Sequence, residues 1–162
     1  EGRSWKVENM QRNYIKEACK EFSSEDIIIV SDLDEIPSKE KINFIKSSDF
    51  KTVAPVALEQ ALFHLNCKYL NLETWVGSIV VTKTLLDKYG PQVFRDYKGR
   101  ISRFKKAGWS FSSFGGVDKV KEKFEAFAHQ EYNKKEFLNP EHIKKSAELG
   151  LDLLNRDIKK KK

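Results

Sequence analysis

Apolar and polar residues follow two periods along this chain, and the switches between them mark its elements. Val7, Met10, Tyr14, Ile15, Ala18, Cys19 and Phe22 recur at helical spacing and predict an amphipathic helix from Val7 to Phe22, broken by Ser23 and Ser24. Ile27 to Val30 is an unbroken β-branched run, the pattern of a strand buried on both faces, as in a parallel sheet under helices. Ser38 is placed to cap a short helix reaching Lys46. Phe50 to Leu58 reads as a strand with an edge or bulge at Pro55, and Ala61 to Leu72 as a second strand or hairpin in which His64 is packed. Trp75 to Thr82 is another apolar strand, whose Gly77 permits close approach of a ligand or another backbone. A helix follows from Lys83 to Tyr89, ended by Gly90 and Pro91.

Beyond it the signal from Gln92 to Lys106 is weak and basic and predicts a loop. Ala107 to Gly116 alternates aromatic and small polar residues and predicts a strand leaving a tight turn. Val117, Val120, Phe124 and Phe127 then form a helical stripe, and Pro140 opens a last helix with Ile143, Ala147, Gly150, Leu151 and Leu154 inward. The expected class is α/β, with a mixed, mostly parallel sheet flanked by helices. Residues 1–155 are expected to form one domain, and 156–162 a basic tail without structure.

A chain of 162 residues is long enough for one sizeable core. Its net charge of +6 owes four charges to Lys159, Lys160, Lys161 and Lys162, so the body is nearly balanced and no nucleic-acid partner is expected. Cys19 and Cys67 are too few and too far apart for a disulfide framework or zinc site, and both are expected as buried thiols. No segment has the length and apolarity of a membrane span, and no targeting segment is present, which leaves the compartment open. The chain opens without a cap, strand or start methionine, so an upstream portion is expected.

The candidate chemistry gathers where the first strand runs into acid. Asp32 and Asp34 follow the carboxyl end of Ile27 to Val30, the edge at which open α/β sheets bind ligands. The turn before Pro37 can bring both carboxylates round one hard cation, Mg²⁺ or Mn²⁺, although the same residues also make a plain polar turn. One of Arg95, Arg100 and Arg103 can offset diphosphate charge, Arg12 lies on the polar side of its helix, and Asp118 stands at a helix start. Trp75, Trp109 and Phe111 can serve as stacking faces or as core.

Four stretches, Ser31-Asp32-Leu33-Asp34-Glu35-Ile36-Pro37, Trp75-Val76-Gly77, Ala107-Gly108-Trp109-Ser110-Phe111-Ser112 and Phe127-Ala128-His129-Gln130-Glu131-Tyr132, occur in the order seen in glycosyltransferase family 17. The chain resembles that family, which adds the bisecting N-acetylglucosamine to N-glycans, from Trp5 to Tyr132. The resemblance implies a GT-A fold, a nucleotide-sugar donor such as UDP-GlcNAc, a glycan acceptor, and inverting transfer assisted by Mn²⁺ or Mg²⁺. It makes Asp34 the direct metal ligand, with Asp32 at the metal or donor ribose and His129 a late ligand. Gly77 and Trp109 would face the donor, Glu35 would contact the donor sugar or support the metal site from behind, with a structural ion pair as its alternative, Asp118 would be the catalytic base and Glu131 the second candidate.

Two departures stand out: Ser110 replaces a His common in the family, and the first nucleotide-cradling strand is not visible. The family's secretory members work in the Golgi lumen. Two other classes share parts of the pattern, an inactive nucleotide-sugar or glycan-binding module and a haloacid-dehalogenase-like phosphatase, the latter lacking its late acidic pair here.

Overall fold

The β-branched run forms β1 (Ile27–Val30), and its two faces enter two separate cores. Ile28 and Val30 pack with Cys19, Ile79, Leu86 and Phe94, while Ile27 and Ile29 lie against Ile45, Phe50, Leu58 and Val80. The structure, a computed structural model, describes residues 2–47, 50, 53–126, 129–156 and 160–161. The chain divides into two compact units, one of Val7–Ala61 and Trp75–Ser110, the other of Glu1–Lys6, Leu62–Thr74 and Phe111–Lys162.

α1 (Gly2–Ala18), which belongs to the first unit from Val7 onward, leads to β1, followed by β2 (Glu35–Pro37) and α2 (Lys39–Ser47). The Ser38 hydroxyl accepts from Lys41 N at 3.3 Å, the expected cap. β3 (Val56–His64) and β5 (Trp75–Thr82) pair antiparallel, and β1 adds to β5 with Ile27 opposite Thr82 and Val30 opposite Ile79. Thr82 caps α3 (Lys83–Tyr89), and Pro91 opens α4 (Pro91–Tyr97). β6 (Ser102–Phe104) runs parallel to β3, and β7 (Gly108–Ser112) pairs antiparallel with β2.

The α/β class with a mixed sheet stands, but its orientation is corrected from mostly parallel to mostly antiparallel, β3 with β6 being a parallel pair. The physical reason is that an apolar strand reports burial on both faces and says nothing about its neighbour's direction. The stretch from Gln92 to Lys106, expected as loop, holds β6 and all of α4 but its first residue; Gly90-Pro91 ends one helix and starts the next, since proline is tolerated where the amide needs no partner. The strand expected to reach Leu58 continues to His64.

The face of α1 is also corrected. Val7, Met10, Tyr14 and Phe22 are exposed, whereas Ile15 and Cys19 pack inward and the side chain of Arg12 is only 12% exposed. Cys67 is exposed, contrary to expectation, and Cys19 alone is a buried thiol.

The second unit holds β4 (Leu70–Asn71), α5 (Gly116–Ala126), a 3-10 turn (Gln130–Tyr132) and α6 (Pro140–Leu149), capped by Asn139 and ended by a left-handed Gly150. Its core is Leu65, Val120, Phe124, Phe137, Ile143 and Leu153; Phe127, placed in the same stripe from sequence, lies outside the described residues. In the lysine run, Lys160 and Lys161 form β8 (Lys160–Lys161), antiparallel to β4. Among the described residues no helix is long and apolar enough to cross a membrane.

Behind α6 the buried Asp152 accepts from the Arg156 guanidinium at 2.8 and 3.0 Å and from the backbone amides of Leu154 and Arg156. Burial pushes its pKa up, but the hydrogen bonds and charge of Arg156 outweigh this and hold the carboxyl below the usual aspartate value. A depressed folded pKa contributes stability above the unfolded pKa and loses it as pH falls through the folded one. Asp152→Asn is expected to cost about 1–3 kcal/mol at neutral pH and to flatten the acid arm of the stability profile, measured by urea unfolding from neutral pH down to about pH 2.

Candidate functional site

Glu35 begins β2 directly after the Asp32–Asp34 turn, and its side chain is 1% exposed. A buried carboxylate persists as an ion only if its lone pairs are met, and here they are. Oε1 accepts from the Trp75 indole at 2.7 Å and from Arg95 at 3.0 Å; Oε2 accepts from the amide of Asp32 at 3.1 Å and the hydroxyl of Ser78 at 3.3 Å. Ser78 is held by Ser31 at 2.6 Å and by the buried Gln60 at 3.3 Å. The bond from Asp32 N closes the turn across the end of β1, so Glu35 shapes the loop that carries Asp32 and Asp34.

Arg95 reaches this loop from α4 and also donates to Asp32 Oδ2 and to the carbonyl of Gly77. Arg12 approaches from α1, donating to Asp32 Oδ1 at 3.4 Å, to Glu8 at 3.0 Å and to Gln92 at 2.7 Å. Of the three arginines in the basic stretch, Arg95 alone joins the acids: Arg100 lies over the Tyr97 ring and Arg103 donates to Gly99 O. A cleft of about 290 Å³ opens beside this network, lined by Glu8, Gln11, Arg12, Ser31, Asp32 and the exposed Leu33.

Gly77 and Gly108 have distinct structural reasons. A Cβ on Gly77 would stand 2.0 Å from Gln60 Oε1 and 2.9 Å from Glu35 Cδ, so the close approach anticipated there is by the side chains around Glu35. Gly108 has φ +140° and a Cβ there would meet Ile36 O at 2.1 Å, which lets β7 lie directly on the Glu-Ile-Pro strand. Ser110, the residue in place of the family's His, is buried opposite Glu35, and Trp109, opposite Ile36, is 44% exposed.

The remaining predicted residues belong to the second unit. Asp118 is exposed in the first turn of α5. His129 and Glu131 are together, Nδ1 to Oε1 at 2.6 Å, with the Trp5 ring edge-on to the imidazole at 4.7 Å. The hydrogen bond from His129 is the main reason the pKa of Glu131 is lowered, which makes it a weaker base. Phe111 stacks on Phe63 at 5.8 Å and thus packs within its own unit.

The chain went unread at Lys98, the last residue of the α4 turn, whose ammonium lies 3.9 Å over the ring of Trp75. Its spacing of three from Arg95 is a one-face signal only if residues 91–97 are known to be helical.

The donor set also bears on a cation. Both oxygens of Asp32 accept from arginines, Asp34 is half-buried in the turn, and among the described residues no three His, Cys, Asp or Glu converge as a metal cluster. Magnesium is usually held by one or two carboxylates together with substrate phosphates, and the neighbouring carboxylates of Asp32 and Asp34 are a donor set of that kind.

The β-branched strand thus runs into a hydrogen-bonded acidic turn that arginines from two helices of an α/β fold meet with ion pairs. The sequence model of glycosyltransferase family 17 matches residues 1–156, and the chain belongs to that family. It is therefore a glycosyltransferase, with a sugar donor and an acceptor as its substrates. No curated protein and no solved structure matches it.

The Glu35 network generates a stability prediction. Glu35→Ala leaves Arg95 buried beside a lost partner and is expected to cost about 3–5 kcal/mol by denaturant unfolding, whereas Glu35→Gln, which keeps an acceptor for Trp75, should cost less. Equal and small losses in both would show that the carboxylate does not organise the turn.

Proposed function

We propose that this glycosyltransferase moves a sugar, N-acetylglucosamine from UDP-GlcNAc in the first instance, to a hydroxyl of a glycan with inversion at the anomeric carbon. The observation that supports this reading is the Asp32–Asp34 turn, pinned by buried Glu35 at the end of β1 in a member of family 17. A divalent cation travelling with the donor would neutralise the departing diphosphate, and Asp34 is the carboxylate assigned to it, with Asp32 oriented by Arg12 and Arg95. His129 is retained as the candidate late ligand.

In-line displacement needs a base to take the proton of the acceptor hydroxyl as that oxygen attacks the anomeric carbon. Asp118 is assigned this role; Glu131 is the second choice because its bond to His129 weakens it as a base. Trp109, half-exposed on β7, is assigned to the sugar or base of the donor.

Two measurements test the reading. A thermal-shift panel of UDP-sugars with and without Mn²⁺ should show stabilisation approaching about 2.7 kcal/mol at a hundredfold excess over the dissociation constant, and Asp34→Ala should abolish the part that requires Mn²⁺. No stabilisation by any nucleotide sugar would contradict the donor assignment. Asp118→Asn should lower turnover by about 10² to 10⁴ with donor binding retained, and unchanged turnover would remove Asp118 from the role.

A further inference from the structure

Three cations approach the acidic turn, and two are matched. Arg12 pairs with Glu8 and Asp32, and Arg95 with Asp32 and Glu35. Lys98 is the one left over: among the described residues its ammonium has no ion pair and no hydrogen bond, and its close partner is the face of Trp75 at 3.9 Å. Trp75 cannot turn away, because its indole N–H is committed to Glu35 at 2.7 Å. The same ring has the Arg95 guanidinium carbon 5.8 Å from its centroid, so a lysine and an arginine one helical turn apart share one aromatic platform.

We propose that Lys98, with Arg95 and the ring of Trp75, forms a phosphate-binding ledge that takes the diphosphate of the nucleotide-sugar donor. An ammonium has three donors and no acceptor, and a partly desolvated one whose donors meet no acceptor among the described residues is a site for an anion that comes from outside the chain. Arg95 is too committed to Asp32 and Glu35 to serve alone, but it fixes the platform and adds positive potential. The charge state agrees with this. Burial, with the nearby charge of Arg95, lowers the pKa of Lys98 from 10.5 to about 8, against the opposing pull of Glu35 and Asp32 and with a small further push from Arg12. Lys98 is thus a cation at neutral pH that gains a counter-ion when phosphate binds and loses its charge as pH rises past about 8.

The inference rests on the donor reading above, and inorganic pyrophosphate separates the two because it carries neither nucleotide nor sugar. Calorimetry in EDTA on the full chain should detect pyrophosphate binding that Lys98→Gln weakens by about 10- to 100-fold and Lys98→Arg largely restores. Between about pH 7 and about pH 9 the affinity of the unmodified protein should fall relative to that of Lys98→Arg, whose guanidinium stays charged. Absence of pyrophosphate binding, equal affinity in Lys98→Gln, or matching pH profiles would each overturn the ledge. So would a lowered Tm of Lys98→Gln with pyrophosphate affinity intact, since that is the signature of a residue serving only the end of α4. Pyrophosphate binding without binding of any UDP-sugar would uphold the ledge and overturn the donor reading alone.

Discussion

A carboxylate buried to 1% exposure is the constraint on which the first unit turns. Removing an ionised carboxyl from water costs several kcal/mol even after relaxation, and that cost is recovered only by full hydrogen bonding and an opposite charge. Glu35 meets both conditions with four donors drawn from β5, α4 and the loop after β1. Each donor is thereby fixed in turn. Trp75 is oriented, Arg95 is brought across to Asp32, and the backbone at Asp32 is folded into a turn. The acidic loop is shaped from beneath by an ion that solvent does not reach.

This arrangement divides labour among three neighbouring acids. Glu35 is consumed by structure, Asp32 is balanced by two arginines, and Asp34 lies between them, half-buried in the turn. It also explains two glycines without appeal to a ligand. Gly77 makes room for Gln60 and the Glu35 carboxyl, and Gly108 lets β7 meet β2 backbone to backbone. The Gly-Trp and Asp-x-Asp-Glu-Ile-Pro stretches, far apart in sequence, are the two strands of one short antiparallel pair.

Much of the fold was legible from local patterns. The strand Trp75–Thr82 and the helix Lys83–Tyr89 fall where periodicity places them, and α2 and α6 begin at signals readable from single residues, Ser38 and Pro140. The misreadings share a cause. On α1 the conspicuous apolar residues Met10 and Tyr14 are exposed while Arg12 is largely covered, because the inward face is chosen by what lies opposite, and that is Asp32. Gln92 to Lys106 looked like a basic loop because Arg95 and Lys98 point to acids and an aromatic ring that no local window contains.

By itself, then, the amino-acid order determined that β1 must be covered on both faces, that an acidic turn follows it, and that the chain carries the stretches of family 17 in order. Those are properties of short segments and their composition. Tertiary structure decided the direction of the strands, which of three acids is buried, which arginine answers it, and that Lys98 lies over the ring of Trp75. Desolvation and charge pairing act between segments tens of residues apart, so their outcome exists only once β2, β5 and α4 are brought together.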